Sequence, residues 1–382
     1  MKKRLLAVLA GVMALVVGVV APVSAATPAP VTADGFTQMF QDKNDMTWSG
    51  SDGMLSYKAP NGKIYWINGD TFRSNGEDPD GSYPDGTVMI GNSILMQQGG
   101  QLVNAMANNG IGVPDPSTHT SENNERYWPA GTFYANNHLY ILCQRVMNDS
   151  GGVGFKIVGS EMAKYKVASN GKLTFTGMRN MPSTGVAAGR GPLYTQFGGD
   201  AIIKGSYLYV YGQTLAQPTD PQWVIHATYL ARVPVLQVET PSAWRYYKKT
   251  TNQWVASLSQ LSQASNNPDA LVESQVGSVR AVKDKIIMVH KPWNNWGTEV
   301  YAETSANPWG PFTTKHIFDS PAGTWEGKNY ETYGPMLHPE QVLSGVDEGK
   351  ILVSINWNGK DFWSDVLGNA DLYKPRFYAI SP

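Results

Sequence analysis

The sequence lacks most of the features that mark the common enzyme classes. Its 382 residues include a single cysteine, Cys143, so the chain cannot form an internal disulfide. It contains no Gly-x-Ser-x-Gly, no His-Glu-x-x-His, no paired cysteine motif and no Gly-Lys-Ser/Thr loop. These motifs carry the chemistry of serine hydrolases, zinc proteases and phosphate-binding loops, so none of those classes is indicated.

Charge is also scarce. Charged residues make up 16% of the chain, and the formal net charge is −1. Without the three cations at positions 2–4 the charge becomes −4. This balance argues against binding of nucleic acid and against a polybasic contact with a membrane surface. An acidic polymer is not an obvious partner either.

Long apolar runs are absent except at the N-terminus. A positively charged start is followed by the apolar stretch 5–20 and the small residues 23–25, a pattern typical of a secretory signal. The stretch is short for a membrane span. We therefore predict a signal peptide over residues 1–26 and one mature domain over 27–382, secreted, extracellular and not inserted in a membrane once the signal is removed.

The residues that are abundant favour β-structure. Glycine occurs 39 times, proline 24, tyrosine 19 and tryptophan 12. Glycine and proline interrupt the chain every few residues, and long helical periods are missing. Cys143 ends the apolar run 139–143 and is interpreted as a small core residue of a buried strand.

A recurring phrase, a turn followed by a short apolar or aromatic strand, occurs five times. The copies are 61–67, 136–142, 205–211, 283–289 and 348–354. A second short strand precedes each turn, at 53–57, 131–134, 200–203, 276–282 and 339–343. Each unit therefore begins with a β-hairpin and leaves room for two more strands.

Four strands per unit, repeated radially, is the plan of a β-propeller. We predict an all-β fold, a single five-bladed β-propeller, in which the last strand, 376–380, joins a blade begun by the N-terminus. The alternative is a two-sheet sandwich in which the spacing of the five phrases is coincidental.

The first hairpin carries two aspartates, Asp52 and Asp70, on its two arms at nearly equal distances from the Asn61-Gly62 turn. A strict two-residue turn pairs residues whose numbers sum to 123 and puts the two carboxylates on opposite faces. A three-residue loop with a bulge shifts the sum to 124 and puts them on one face.

Two nearby carboxylates suit glycosidic bond cleavage, in which one donates a proton to the leaving oxygen and the other stays ionised. We therefore take Asp52 and Asp70 as the catalytic candidates. In the alternative interpretation these aspartates only hydrogen-bond to local backbone in turns.

Polar and aromatic residues at similar places in the later units predict a ring around one mouth of the propeller that suits a polyhydroxylated ligand. The substrate-binding candidates are Trp128, Gln275, Arg280, Tyr333, His338, Glu340 and Asn356. Six further tryptophans either pack between blades or form platforms for sugars. They are Trp293, Trp296, Trp309, Trp325, Trp357 and Trp363.

No cofactor is required by this chemistry, and no catalytic metal site is predicted. The acidic loop that holds Asp78, Asp80 and Asp85 is interpreted either as a solvated loop or as a structural calcium site.

The chain resembles a family of secreted bacterial five-bladed propellers that includes the endo-D-arabinanases of glycoside hydrolase family 183. The resemblance spans roughly residues 48–380 and is carried by short segments along the chain. They are Trp48-Ser49-Gly50-Ser51-Asp52-Gly53, Ile67-Asn68-Gly69-Asp70-Thr71-Phe72, Asn92-Ser93, Trp128-Pro129, Ala231-Arg232-Val233-Pro234, Ser242-Ala243-Trp244, Asn307-Pro308-Trp309-Gly310-Pro311-Phe312, His338-Pro339-Glu340 and Pro375-Arg376-Phe377.

The resemblance implies that Asp52 and Asp70 hydrolyse an arabinofuranoside link with inversion, and it adds Asn92 to the substrate-binding candidates. The Arg-Asp-Pro signature of the related arabinanases and fructan-acting enzymes is absent here. We expect a monomer whose partner is a polysaccharide or oligosaccharide. A non-catalytic glycan-binding propeller and a surface adhesin remain the alternatives.

Overall fold

The computed structural model describes residues 31–98, 100–108, 110–150, 154–182, 191–214, 227–264, 266–274, 276–292, 297–325, 327–343 and 345–381. The predicted signal peptide lies outside these ranges. Within them no helix has both the length and the apolar character needed to cross a membrane.

The described chain is all-β, as predicted, and its one α-helix spans Asp34–Gln41. The first twelve strands are β1 Val31–Thr32, β2 Gly50–Ser51, β3 Leu55–Lys58, β4 Ile64–Asn68, β5 Thr71–Arg73, β6 Val88–Ile90, β7 Ser93–Gln98, β8 Gln101–Asn104, β9 Arg126–Ala135, β10 His138–Asn148, β11 Phe155–Val167 and β12 Leu173–Asn180. The others are β13 Thr195–Gln196, β14 Ala201–Lys204, β15 Tyr207–Thr214, β16 Thr228–Pro234, β17 Arg245–Lys248, β18 Gln253–Val255, β19 Ser278–Val282, β20 Lys285–His290, β21 Glu299–Ser305, β22 Thr313–Asp319, β23 Gly323–Trp325, β24 Lys328–His338, β25 Ile351–Gly359 and β26 Arg376–Ile380.

These strands form five large antiparallel sheets and one small one. Sheet I is β3-β4-β7-β8, sheet II is β9 to β12, sheet III is β13 to β18, sheet IV is β19 to β22, and sheet V is β23 to β26 with β1 added at its edge. The small sheet is β2-β5-β6. As predicted, the last strand joins a sheet to which the N-terminus contributes, because β1 pairs with β26.

Four of the five predicted hairpins are found, as β3-β4, β9-β10, β14-β15 and β19-β20. The fifth is wrong in its first arm. The partner of β25 is β24, with Met336 opposite Ser354, whereas 339–343 lie in the loop that follows β24. Pro339 begins that segment and has no N–H to donate to a strand ladder.

The hydrophobic core is divided into separate clusters, five of which each lie between two large sheets, while a small sixth cluster lies within sheet II. Leu55 and Ile67 of sheet I pack with Leu139 and Cys143 of sheet II. Corresponding clusters join sheets II and III, III and IV, IV and V, and finally V and I. Each sheet therefore buries both faces, and the order of burial is cyclic.

The innermost strands follow the same cycle. Strand β3 contacts β9, β9 contacts β14, β14 contacts β19, β19 contacts β24, and β24 contacts β3. Glycines permit this close approach. A Cβ atom on Gly131 would lie 2.6 Å from the carbonyl oxygen of Gly199, and one on Gly277 would lie 2.7 Å from the carbonyl oxygen of Pro335.

We expect Gly131→Ala to destabilise the protein by roughly 1–3 kcal/mol, because the added methyl group overlaps the backbone of Gly199 and Asp200 beside sheet III. Urea unfolding followed by tryptophan fluorescence measures the change. Gly35→Ala is the matched control, since a Cβ there meets nothing within 4 Å. Equal effects of the two substitutions would show that close approach does not constrain the fold.

Candidate active site

The register of the first hairpin places the two aspartates opposite each other. Leu55 pairs with Ile67, and Ser51 pairs with Thr71, so the partner numbers sum to 122 rather than 123 or 124. The connecting loop is closed by a hydrogen bond from Ala59 N to Lys63 O (2.9 Å). Side chains alternate between the two faces of a sheet, so a shift of the sum by two leaves each side chain on the same face. A sum of 122 therefore puts the two carboxylates on one face, as a sum of 124 would.

Two glycines make room for the pair. Gly53 has φ +65°, a conformation that glycine adopts without strain. A Cβ atom on Gly69 would lie 2.3 Å from Asp52 Oδ1. The glycine beside each aspartate therefore determines where the Asp52 carboxyl group can lie.

Asp70 is held by a cation and an indole. Arg126 Nε and Trp128 Nε1 both donate to Asp70 Oδ1, at 3.1 and 2.9 Å, and Arg126 Nη2 lies 3.4 Å from Oδ2. Burial raises the pKa of Asp70, and the Arg126 guanidinium opposes this rise. An adjacent guanidinium and N–H donors favour the ionised carboxylate.

Asp52 has no cation in contact among the described residues; its hydrogen bonds come from tyrosines. The Tyr333 hydroxyl donates to Asp52 Oδ2 at 2.7 Å, and Tyr373 also forms a hydrogen bond with this carboxyl. Burial, followed by the charge of Asp70, raises the pKa of Asp52 to about 7. Near neutral pH, Asp52 therefore retains its proton more readily than Asp70, and Asp70 ionises more readily than Asp52.

The pair opens into a cavity of about 1160 Å³. Of the predicted substrate-binding residues, Trp128, Tyr333 and Asn356 line it. Asn356 Nδ2 donates to Gly334 O, while its Oδ1 is buried without a partner among the residues that the structure describes. Gln275, together with Trp293 and Trp296, lies outside the described residues.

Three other candidates are brought together elsewhere, around Ser56 on β3. The ring nitrogens of His338 are hydrogen-bonded to the hydroxyls of Ser56 (2.5 Å) and Ser354 (2.8 Å). Glu340 accepts a hydrogen bond from Ser56, and Arg280 lies 3.4 Å from the Ser56 carbonyl oxygen. None of the three is among the described residues that line the cavity.

The contacts of these residues are those of structural groups. Arg280 forms an ion pair with the buried Asp200. Burial lowers the pKa of His338 well below its usual value and raises that of Glu340. Asn92 is also placed away from the cavity, because its amide bonds to the backbone of Val113 and Tyr127.

Several cavity residues were missed by the sequence analysis. Arg126 lies two positions before Trp128 on the same strand, so the two side chains share a face. This alternation could have predicted Arg126 beside Trp128 from the sequence. Tyr373 has no local signal, because only the packing of sheet V brings it to Asp52. Trp363, whose role as platform or packing residue was left open, lines the cavity and is 56% exposed.

The acidic loop shows local bonding. Asp80 Oδ1 accepts hydrogen bonds from the amide and hydroxyl of Ser82, at 3.1 and 2.7 Å. Within the described ranges no group of three or more His, Cys, Asp or Glu side chains could hold a metal ion.

The fold and the site together define an all-β protein with a carboxylate pair at a cavity. The chain belongs to the family described as "Domain of unknown function (DUF5005)", which matches residues 34–382. No curated protein matches the chain.

Several solved structures are similar to this chain in fold. A "putative hydrolase" from Bacteroides ovatus ATCC 8483 is similar with a TM-score of 0.71 and 18% identity, over 91% of this chain and 89% of that one. This likeness shows a shared fold. The GH43_1 enzyme from Xanthomonas citri has a TM-score of 0.46 and 10% identity, over 90% and 93% of the two chains. The Cellvibrio cellulosa alpha-L-arabinanase has a TM-score of 0.45 and 10% identity, over 86% and 91%. Neither of the latter two TM-scores reaches 0.5.

The raised pKa of Asp52 predicts a pH-dependent cost in stability. An unfolded aspartate has a pKa near 3.9, so between about pH 4 and 7 the folded chain binds more protons and its stability falls as pH rises. Replacement by asparagine removes this loss. We expect Asp52→Asn to match the wild type near pH 4 and to be more stable by roughly 1–3 kcal/mol at pH 8.

Urea unfolding of both proteins across this pH range measures the difference. Asp80→Asn is the control, because hydrogen bonds from Ser82 lower the pKa of Asp80, so it should show no such gain. A pH-independent difference between Asp52→Asn and wild type would contradict the ionisation assigned to Asp52.

Proposed function

We propose that the chain is an extracellular glycoside hydrolase that cleaves an arabinan-type furanoside polysaccharide, with Asp52 as general acid and Asp70 as general base. One observation carries the proposal. Two interacting carboxyl groups line one cavity, one beside tyrosine hydroxyls and the other beside a guanidinium and an indole N–H. Environments that separate the pKa values of a carboxyl pair are those that assign acid and base.

The proposed scaffold is a five-bladed β-propeller whose blades are sheets I to V. The cyclic contacts of β3, β9, β14, β19 and β24 support it, as do the five cores between consecutive sheets. The small sheet β2-β5-β6 would extend the first blade at the cavity, since Asp52 follows β2 and Asp70 precedes β5.

The reaction uses both groups in one displacement. Asp52 donates its proton to the glycosidic oxygen as the bond from that oxygen to the anomeric carbon breaks. Asp70 accepts a proton from a water molecule, whose oxygen attacks the same carbon from the opposite face. The products are two sugar ends, and proton exchange with solvent resets the pair. This sequence inverts the anomeric configuration.

The partners of the two carboxylates favour this role over turn chemistry. The side-chain bonds to Asp52 come from sheet V and the Tyr373 segment, and those to Asp70 come from sheet II. A carboxylate that only completes a local turn would instead bond to nearby backbone. The fold shared with the Bacteroides ovatus protein and the resemblance to secreted endo-D-arabinanases agree with hydrolysis of a polysaccharide.

The direct test is turnover. We expect wild-type protein to release oligosaccharides from linear arabinan, and Asp52→Asn and Asp70→Asn each to lower the rate by at least about 10²-fold. Reducing-end assays on arabinan, fructan and cell-wall arabinogalactan measure the rates, and proton NMR of the first product gives its anomeric configuration.

Asp80→Asn is the control for this test, because this aspartate bonds to Ser82 and is not among the described lining residues. If the wild type turns over none of the three polymers yet binds one of them, the chain is a glycan-binding protein and the hydrolase proposal fails. Retained configuration would leave hydrolysis standing and overturn inversion.

The pH dependence of the activity should reflect the ionisation of both Asp52 and Asp70. Activity should fall above about pH 7, because Asp52 then loses the proton it donates, and at low pH, because Asp70 becomes protonated. Arg126→Met removes the cation that favours the ionised Asp70, so the acid limb should move to higher pH.

Measurement of kcat/KM against pH for both proteins tests this shift. Lys360→Met is the matched control, since Lys360 also lines the cavity but its ion pair is with Glu331. An unchanged acid limb in Arg126→Met would contradict the assignment of Asp70 as base.

A further inference from the structure

We infer that Trp363 forms a sugar-binding subsite of the cavity, on the opposite side of the Asp52–Asp70 pair from Trp128, and that its ligand is a neutral glycan chain. The inference rests on the proposed function for the position of the cleaved bond. It goes beyond that function by assigning a binding surface to the bound chain.

The exposure of Trp363 sets it apart from several other tryptophans. Its side chain is 56% exposed at the cavity, whereas Trp48, Trp66 and Trp244 are fully buried. A lone exposed apolar side chain needs no explanation by itself. A large aromatic face at the wall of a polar cavity does suit the apolar face of a sugar ring, because such rings present C–H groups between their hydroxyls.

The turn that carries Trp363 is fixed in place. It is a single π-helical turn, Phe362–Val366, a type of turn that occurs frequently at functional sites. Asp361 Oδ1 accepts a hydrogen bond from Ser364 N, and Asp361 N donates to Asp365 Oδ2 at 3.0 Å. Binding to a turn that is already ordered loses less conformational entropy.

Aromatic contacts connect this turn to the carboxylate pair. The Trp363 ring meets Phe362 edge to face with centroids 5.0 Å apart, and Phe362 meets Tyr373 in the same way at 5.3 Å. Tyr373 is the residue whose hydroxyl bonds to Asp52. The platform and the proposed acid are therefore positioned by one continuous group of rings.

A second aromatic wall lies on the other side of the pair. Trp128 of sheet II meets Phe155 edge to face at 4.5 Å, and both line the cavity. Strand β3 of sheet I contacts β9 of sheet II on one side and β24 of sheet V on the other. The aspartates, which flank the first hairpin, thus lie between the Trp128 wall and the Trp363 wall.

The size and charge of the cavity specify the ligand. A volume of about 1160 Å³ exceeds the range usual for one small ligand, roughly 300–1,000 Å³, so a chain of several sugars fits. Acids outnumber cations among the described lining residues. The acids are Asp52, Asp70, Glu122, Asp149, Asp200 and Glu331, and the cations are Arg126 and Lys360. Even with Asp52 protonated and Asp200 paired with Arg280, the four other acids outnumber the two cations, which disfavours uronate or phosphate groups and favours a neutral glycan.

Binding without turnover tests the subsite. In an Asp52→Asn background, affinity for an arabino-hexasaccharide is measured by titration calorimetry. We expect the further change Trp363→Ala to weaken binding about threefold to tenfold, and Trp363→Phe to recover most of the loss. Leu236→Ala is the control, because Leu236 is 80% exposed and is not among the described lining residues. It should leave affinity unchanged.

The outcomes separate this inference from the proposed function. If wild-type protein cleaves arabinan but Trp363→Ala binds the hexasaccharide as tightly as its parent, the subsite is overturned and the hydrolase stands. If binding weakens as expected but the wild type cleaves nothing, the subsite stands and the hydrolase falls. Failure of the parent to bind the hexasaccharide, or equal losses in Leu236→Ala, also overturns the subsite.

Discussion

The need of every large sheet to bury two apolar faces is the constraint on which this structure depends. A sheet buried on both faces requires a neighbour on each side. The chain meets this need in a cycle, and the last interface packs Phe40 and Trp66 against Phe377. Because the cycle closes, the innermost strands converge and must approach closely, which is why glycine occurs at Gly131 and Gly277.

The convergence of strands also creates the electrostatics of the candidate site. Residues far apart in the chain meet there, with Tyr333 donating to Asp52 and Arg126 donating to Asp70. Burying two carboxyl groups side by side costs folding free energy, since one must keep its proton at neutral pH or bear an unfavourable charge. The catalytic role proposed for the pair would account for such a cost, since function is often gained at the expense of stability.

Local sequence patterns predicted much of the fold and part of the site. Turn residues and alternating apolar residues identified four of the five hairpins and put Asp52 and Asp70 on the two arms of the first. They left the register open between sums of 123 and 124, whereas the structure has a sum of 122 and so places both aspartates on one face. The fifth hairpin failed because a plausible apolar segment at 339–343 stood nearer to the turn than the true partner, β24. His338 and Glu340 were expected at the mouth of the propeller but lie around Ser56. Residues at similar sequence positions in the repeated units can lie at different heights along their strands, so they need not reach the same mouth.

By itself the sequence determined the β-strand character of the chain, four of the five hairpins and the position of the two aspartates on the arms of the first, because these depend on side-chain alternation and backbone preferences over a few residues. The turn residues left two registers open, so only the structure, in which partner numbers sum to 122, decided that the two carboxylates share a face. Only the tertiary structure decided which carboxyl group holds the proton and which aromatic rings face the cavity. A pKa depends on burial and on neighbouring charges and donors. The neighbours of Asp52 and Asp70 come from other sheets, so their effect appears only when those sheets are packed together.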